Sequence, residues 1–150
     1  MNLADISRKS LDDLLTSLGF AHEISVDEND EGILCLNISS EDAKFIIGED
    51  GDRLDDLQYL VNRMIQNVDA ALPRVRVDCD HYRERSEAKL LKKARSLAEK
   101  VLATGRPLRM QPLNAYYRRL VHNSLADVAG VATESEEGTS RFKRITIRPV

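Results

Sequence analysis

The sequence has few cysteines and no recognisable set of metal ligands. Its two cysteines, Cys35 and Cys79, lie in segments that are predicted as strands, and they lack the C-x-x-C spacing of zinc sites. Two free thiols are the expected state in a reducing cytosol, and a disulfide is the alternative if the two strands are neighbours. With three histidines in the whole chain, we predict neither a metal site nor a bound cofactor.

Long apolar runs and catalytic motifs are also missing. No segment approaches the roughly 20 apolar residues of a membrane span, and the N-terminus has no signal-peptide core, so we predict a cytoplasmic protein without membrane insertion. No paired nucleophile and base and no Gly-rich loop with lysine are found, so we predict that the chain is not an enzyme. At 150 residues and 42% apolar composition, one globular domain or two small ones are expected.

Charge is distributed unevenly along the chain. Residues 1–80 hold 7 Lys/Arg and 18 Asp/Glu, a net charge of −11, whereas residues 81–150 hold 15 and 7, a net charge of +8. This asymmetry indicates that the second half meets a polyanion. Attraction between the two halves is the alternative explanation.

The first half predicts an α-β-β-α-α-β order of elements. Helical apolar spacing marks three segments, and period-two alternation marks three others. Gly19 is placed to end the first helix, and Ser40 is placed to cap the second. The predicted helices are 3–18, 41–47 and 54–68, and the predicted strands are 21–28, 33–39 and 73–80.

The second and third helices are joined by a G-x-x-G turn made of Gly48, Glu49, Asp50 and Gly51. A helix, a G-x-x-G turn and a second helix resemble the nucleic-acid clamp of KH domains, in which the loop grips the strand backbone. The simpler alternative is a tight join between two helices.

The second half predicts two helices and three short strands. A long helix over 81–104 carries a buried stripe and, on its opposite side, lysines that form either a solvated face or a phosphate-contacting ridge. Asn114 is placed to cap a second helix that runs to about residue 126. The predicted strands are 107–112, 131–134 and 142–148.

Within the capped helix, Arg118 and His122 lie four residues apart on one face. An arginine can bind a phosphate through two hydrogen bonds, and a histidine can stack on a base or donate a hydrogen bond. In the alternative interpretation, His122 bonds a loop carbonyl and Arg118 pairs with Asp127 or Glu134.

These features are spread in collinear order over nearly the whole chain, and together they resemble a bacterial family. The chain is similar to the Jag family, also called the KhpB or SpoIIIJ-associated family, which pairs a KH domain with a C-terminal R-x-x-x-H domain. The matching stretches are Gly32-Ile33-Leu34, Ile46-Ile47-Gly48, Gly51, Leu54-Asp55-Asp56-Leu57-Gln58-Tyr59-Leu60-Val61-Asn62, Tyr82-Arg83-Glu84-Arg85, Thr104-Gly105-Arg106-Pro107, Pro112-Leu113-Asn114-Ala115-Tyr116, Arg118-Arg119-Leu120-Val121-His122 and Gly130-Val131-Ala132-Thr133-Glu134-Ser135.

The resemblance implies a prokaryotic-type (type II) KH domain over residues 1–81 and a small α/β R-x-x-x-H domain over 82–150. It also implies binding of single-stranded RNA, with single-stranded DNA as an alternative ligand, and a role as an RNA chaperone or post-transcriptional regulator. A small stand-alone KH-domain protein as a partner and a link to cell-envelope growth are further implications of the resemblance, whereas a homodimer belongs to the alternative function given below.

We predict that binding is centred on the second half. The expected centre is Arg118, His122 and Arg119, and the residues expected to give electrostatic support are Arg106, Arg109, Arg141, Lys143 and Arg144. The KH loop is predicted to be a weak clamp, because Glu49 and Asp50 stand where binding members of the family carry basic residues. The alternative function is a protein-interaction adaptor or dimerisation module whose KH half no longer binds nucleic acid.

Overall fold

Across residues 2–150, the part of the chain that the computed structural model describes, α and β structure are mixed in five α-helices, one 3-10 turn and two three-stranded sheets. The predicted α+β class is confirmed. The chain divides into two units, Met1–Glu84 and Arg85–Val150. Arg83 lies in the first unit, and its side chain bonds there to the Val77 carbonyl and to the Asp55 carboxylate.

The first unit begins with a helix that the sequence predicts well. The side chain of Asn2 accepts a hydrogen bond from the Asp5 amide at 2.9 Å and caps the helix N-terminus. Gly19, with φ +83°, follows the helix end and confirms the predicted stop. The elements of this unit are α1 (Leu3–Ser17), β1 (Glu23–Glu28), β2 (Leu34–Ser39), α2 (Ala43–Ile47), the 3-10 turn Glu49–Gly51, α3 (Asp52–Val68) and β3 (Arg76–Cys79).

The sheet of the first unit has the order β1-β2-β3, with β1 antiparallel and β3 parallel to β2. Strand β1 starts two residues later than predicted, because the preceding segment is held by other bonds. The Phe20 amide donates to the Leu15 carbonyl at 3.1 Å, and His22 Nδ1 lies 2.8 Å from the Phe20 carbonyl. The strand therefore begins only at Glu23.

The outer edge of β3 is occupied by side chains rather than by another strand. Asn62 of α3 bonds to both the amide and the carbonyl of Val75, at 2.8 and 3.0 Å. Gln58 Oε1 accepts from the Val77 amide at 3.0 Å, and Arg83 Nε donates to the Val77 carbonyl at 2.8 Å. These bonds also explain why the strand is shorter than the predicted 73–80, since Val75 pairs with a side chain and not with β2.

Helix α2 starts later than the sequence pattern suggested. Ser40 was predicted as its N-cap, but the helix begins at Ala43. Ser40 Oγ instead accepts from the Asp42 amide at 3.0 Å and donates to the Ala21 carbonyl at 2.6 Å. The serine thus closes the turn before the helix and ties it to the segment before β1.

An apolar core lies between the helices and the sheet of the first unit. It buries one face of α1 and of α3 together with inward-facing residues of β2 and β3. Its buried members are Ile6, Leu11, Leu15, Leu36, Ile38, Ile46, Leu54, Leu57, Val61, Ile65, Val75, Val77 and Cys79.

The second unit contains most of the longest helix, which starts at Tyr82 in the first unit, and a separate sheet of order β4-β6-β5, antiparallel throughout. The predicted stripe of the long helix is confirmed, with Leu90, Ala94, Ala98 and Val101 buried. These residues pack in a core with Met110, Leu113, Val121, Leu125, Ile145 and Ile147. The elements are α4 (Tyr82–Thr104), β4 (Leu108–Arg109), α5 (Ala115–Leu125), β5 (Val131–Ser135) and β6 (Ile145–Pro149).

The last strand differs from the prediction of 142–148. Lys143 leaves the β5–β6 ladder and forms an isolated bridge with Leu113, with amide-to-carbonyl distances of 2.8 and 3.0 Å. Strand β6 therefore begins at Ile145, and the bridge brings residues 141–143 to the start of α5.

Candidate nucleic-acid interface

Arg118 is held at the start of α5 by backbone carbonyls. Asn114 caps the helix as predicted, since its side chain accepts from the Tyr117 amide at 3.0 Å. One turn later, Arg118 Nη1 donates to the Leu113 carbonyl at 2.6 Å and to the Arg141 carbonyl at 3.4 Å. Neither carbonyl carries a net charge, so the guanidinium keeps its full positive charge at the surface.

The alternative in which Arg118 pairs with a carboxylate is wrong for Glu134. Glu134 Oε1 instead accepts from Arg148 Nε at 2.9 Å, across the β5–β6 pair. Arg118 is half-buried, and its two carbonyl bonds explain how the side chain is ordered without an acidic partner.

His122 lies one turn after Arg118, and both of its ring nitrogens are in contact with hydroxyl groups of β5. Nδ1 is 2.6 Å from Thr133 Oγ1, and Nε2 is 2.8 Å from Ser135 Oγ. The alternative in which His122 bonds a loop carbonyl is therefore wrong. The pKa of His122 is lowered below its usual 6.5, mainly by partial burial and secondly by the positive charge of Arg118. The ring is therefore neutral at pH 7.

Arg109 and Arg144, two of the predicted supporting residues, are both linked to Glu136. Arg109 Nη2 is 3.1 Å from Glu136 Oε2. The other oxygen of Glu136 accepts from the Arg144 backbone amide. The charge of Arg109 is thereby partly neutralised, while the Arg144 side chain remains exposed.

Arg141 and Phe142 form an exposed pair beside Arg118. The guanidinium carbon of Arg141 lies 5.6 Å from the centroid of the Phe142 ring, and Phe142 as a residue is 54% exposed. Aromatic faces and guanidinium planes are the surfaces on which single-stranded bases stack. Arg141 was predicted from the sequence and Phe142 was not, although an aromatic residue between Arg141 and Lys143 was a usable signal.

The other predicted residues are placed at more than one location. Arg119 is exposed on α5, Arg106 follows the end of α4, and Lys143 is half-buried in its bridge to Leu113. The lysines of α4 are exposed, and Lys93 Nζ lies 3.2 Å from Gln111 Oε1. The structure thus brings together Arg118, His122 and the backbone of Arg141. The backbone of Lys143 lies beside them, because it pairs with Leu113, whose carbonyl also accepts from Arg118.

In the first unit, the G-x-x-G turn is packed against its neighbours. Gly48 has φ +74°, and a Cβ there would lie 2.8 Å from Arg53 Cγ. Gly51 has φ +79°, and a Cβ there would lie 2.9 Å from Tyr82 Cε1. Both positions therefore require glycine for space as well as for backbone conformation.

The middle of this turn is acidic and exposed. Glu49 and Asp50 both face solvent, and Asp50 adopts the left-handed region at φ +53°. Arg53, a basic residue of the following helix, donates to the Phe45 carbonyl at 3.0 Å. This bond to a neutral carbonyl leaves the Arg53 charge in place, so a phosphate that approaches the turn meets two carboxylates against one guanidinium.

The cysteines of the first unit are free thiols on neighbouring strands, and burial raises the pKa of Cys79 to about 11. Within residues 2–150, no group of three or more His, Cys, Asp or Glu side chains is arranged to hold a metal ion. None of the helices in that range combines the length and apolar character that crossing a bilayer requires.

Residues 88–149 match the family model of the R-3-H domain. This part of the chain is similar to R-3-H domains. Arg118, His122, Thr133 and Ser135 all lie within the matched stretch, as do Arg141 and Phe142.

Three curated relatives share the name RNA-binding protein KhpB. The protein from Clostridium symbiosum is 33% identical over 146 residues, which is 97% of this chain and 65% of the relative. The protein from Lactiplantibacillus plantarum is 32% identical over 123 residues, covering 82% of this chain and 38% of the relative. The protein from Bacillus subtilis is 26% identical over 107 residues, covering 71% and 51%.

The matched stretches span between 38% and 65% of these relatives' own lengths. Together with the match to the R-3-H domain, they support the predicted resemblance to the KhpB, or Jag, family.

Proposed function

We propose that the chain binds single-stranded nucleic acid, and RNA in particular, through its second unit. The observation that carries this proposal is the state of Arg118, whose guanidinium is fixed by two backbone carbonyls and, within residues 2–150, by no carboxylate. An ordered and unneutralised guanidinium is suited to bind a phosphate. The choice of RNA rests on the name that the relatives carry.

The charge of the second unit supports the same ligand class. Residues 85–150 hold 14 Lys/Arg and 6 Asp/Glu, a net charge of +8, whereas residues 1–84 hold 8 and 19, a net charge of −11. A polyanionic strand is therefore attracted to the second unit and repelled by the first.

The exposed Phe142 ring, with Arg141 beside it, supports a single strand rather than a duplex. Bases that stack on an aromatic side chain must be unpaired and splayed out. Because Arg141 also supplies the carbonyl that holds Arg118, a stacked base at Phe142 and a phosphate at Arg118 are expected to be close neighbours in one bound strand.

For the first unit, the proposal is a type II KH domain with a weak loop clamp. Its support is the α-β-β-α-α-β order of elements and the position of the G-x-x-G turn between α2 and α3. The exposed carboxylates of Glu49 and Asp50 argue against strong phosphate binding there, since a like charge at about 4 Å costs about 1 kcal/mol even in water.

Membership of the KhpB family, a cytoplasmic location and a role as an RNA chaperone or post-transcriptional regulator complete the proposal. A binding role without catalysis, and a small stand-alone KH-domain partner, belong to it as well. These points rest on the relatives and on the sequence resemblance.

Fluorescence anisotropy with a labelled single-stranded RNA tests the proposal. We expect binding to weaken with salt with a log–log slope of about −0.7 for each phosphate neutralised. Arg118→Ala is expected to weaken binding about tenfold, as loss of one hydrogen-bonded charge implies. The matched control is Arg95→Ala, which removes the same charge from an exposed position on α4.

Two results contradict the proposal. One is the absence of measurable RNA binding by the wild-type chain at low salt. The other is equal affinity of Arg118→Ala and Arg95→Ala, which would show that overall charge matters and the site does not. Competition with DNA of the same sequence then decides between RNA and DNA.

A second function, a protein-interaction adaptor or homodimerisation module, is favoured by a specific feature of the first unit. Four large apolar residues on α2 and α3 are exposed, Phe45 by 57%, Tyr59 by 66%, Leu60 by 44% and Val68 by 64%. Size-exclusion chromatography with light scattering on nuclease-treated protein tests homodimerisation. A monomer at all concentrations would exclude the dimer.

A further inference from the structure

The ring of His122 has no free nitrogen with which to bind a ligand. Thr133 Oγ1 is 2.6 Å from Nδ1 and Ser135 Oγ is 2.8 Å from Nε2. Both distances are within the range of strong hydrogen bonds. A ligand that bonded to either nitrogen would have to displace a hydroxyl that is already well placed.

The proton count of this group fixes what the hydroxyls can do. A neutral imidazole has one N–H donor and one bare nitrogen acceptor. The hydroxyl that faces the N–H accepts a bond and keeps its own proton free, whereas the hydroxyl that faces the bare nitrogen must donate its proton to the ring. In the neutral state, one of the two hydroxyls is therefore available as a donor to a ligand.

Exposure separates the two hydroxyls. Thr133 is half-buried in the middle of β5, whereas Ser135 is exposed at the end of the strand. Only the Ser135 hydroxyl is therefore placed to serve a ligand at the surface. It keeps its proton for that ligand in the tautomer in which Nε2 carries the ring proton and Thr133 donates to Nδ1.

The neighbours of Ser135 are consistent with an anionic ligand. Ser135 lies between two glutamates in the sequence, and each is paired with an arginine. Glu134 is 2.9 Å from Arg148, and Glu136 is 3.1 Å from Arg109. The charges of the two carboxylates nearest to the hydroxyl along the chain are therefore partly neutralised, and the charge of Arg118, which no carboxylate within residues 2–150 pairs with, lies one helical turn from His122.

We propose that Ser135, oriented by His122, donates its hydroxyl hydrogen bond to a backbone phosphate of the bound strand, and that His122 is a positioning residue. This inference rests on the proposed function of the second unit. In this arrangement Arg118 supplies the charge, Ser135 supplies a directed O–H donor and Thr133 holds the ring tautomer. A hydroxyl bond to an ionised phosphate oxygen is short and stronger than a neutral one.

A double-mutant cycle on RNA binding tests the inference. Ser135→Ala is expected to weaken binding about tenfold, because a hydrogen bond to a charged group is lost. His122→Phe keeps a flat ring and removes the nitrogens, and is expected to cause a similar loss. The double variant is expected to be no weaker than either single one, since residues that act as one unit are not additive.

The controls separate this role from a merely structural one. Ser135→Thr keeps the hydroxyl and is expected to bind RNA about as tightly as the wild-type protein does. Ser96→Ala removes a hydroxyl from an exposed position on α4 and is expected to leave RNA binding unchanged. Long-range ¹H–¹⁵N spectra of the wild-type protein report the ring tautomer and are expected to show a protonated Nε2. Circular dichroism of each variant confirms that the unit is folded.

Several outcomes overturn the inference without touching the proposed function. Wild-type affinity of Ser135→Ala with weak binding by His122→Phe would make the histidine itself the ligand contact. Wild-type affinity of His122→Phe would indicate base stacking by the ring, and a ring proton on Nδ1 would contradict the donor assignment. The proposed function is tested separately by Arg118→Ala and by wild-type binding, so each failure is recognisable.

Discussion

Replacing Gly51 with alanine is expected to destabilise the first unit far more than a glycine substitution normally does. The backbone at Gly51 is left-handed, which costs an alanine about 1–2 kcal/mol. In addition, the new Cβ would lie 2.9 Å from Tyr82 Cε1, and overpacking of this kind costs about 1–3 kcal/mol. The free energy of unfolding of the unit should therefore fall by about 2–5 kcal/mol.

The matched control is Gly19→Ala in the same unit. Gly19 has φ +83°, and a Cβ there meets nothing within 4 Å, so only the backbone penalty applies. Combining Gly51→Ala with Tyr82→Leu should reduce the extra cost, because the ring that the methyl group meets is removed. Comparing Gly19→Ala and the double variant Gly51→Ala, Tyr82→Leu with Gly51→Ala alone separates the free-energy cost of the left-handed backbone from the cost of the contact with Tyr82.

Urea unfolding followed by far-UV circular dichroism gives the total change, and hydrogen exchange of the Leu36 and Ile38 amides of β2 assigns it to the first unit. Equal destabilisation by Gly51→Ala and Gly19→Ala would refute the reasoning. It would mean that the turn does not rest on Tyr82, and that the second glycine is required for its backbone angle alone.

Two further predictions concern charge and pH. The double variant Glu49→Lys, Asp50→Asn should tighten RNA binding about fivefold or more, as measured by fluorescence anisotropy. Asparagine is chosen at position 50 because it tolerates the left-handed backbone there. Unchanged affinity would show that the turn does not face the bound nucleic-acid strand. The two partly buried histidines should shift stability in opposite directions. A backbone carbonyl raises the pKa of His22 against burial, so its stabilising effect is complete below pH 6.5 and is lost as pH rises through the folded-state pKa. Burial lowers the pKa of His122, so the second unit should lose stability as pH falls below 6.5. The test is the free energy of unfolding as a function of pH: His22→Asn should remove the loss of stability at rising pH, and His122→Asn should remove the loss at falling pH.

Local features of the sequence predicted much of the fold. The cap at Asn114, the stop at Gly19 and the buried stripe of α4 each depend on residues within a few positions of one another, so their patterns could be read directly. Strand ends were less predictable. Strands β3 and β6 are shorter than predicted because Val75 and Lys143 bond outside their own sheets, and such partners leave no periodic trace in the sequence.

The sequence indicated which helix carries the candidate site, but it did not indicate which groups hydrogen-bond to the side chains of that site. Arg118 and His122 were named from their spacing, and their common position on α5 agrees with it. The hydroxyls that hold His122 come from β5, 11 and 13 residues later, and their approach depends on how the helix packs over the sheet. The carbonyl bond to Arg141 spans 23 residues and could not be inferred from a motif.

The side-chain hydrogen bonds along the outer edge of β3 have a consequence for how this protein behaves at high concentration. An exposed strand edge is a template for pairing with another chain, and it is a common start of aggregation. On β3, Gln58, Asn62 and Arg83 already occupy the backbone groups of Val75 and Val77 that a new strand would need. On β1, at the other side of the sheet, the exposed side chains include Glu23, Asp27 and Glu28, whose like charges repel a second copy. The first sheet is thus closed to growth in both directions, by hydrogen-bonded side chains on one side and by charge on the other.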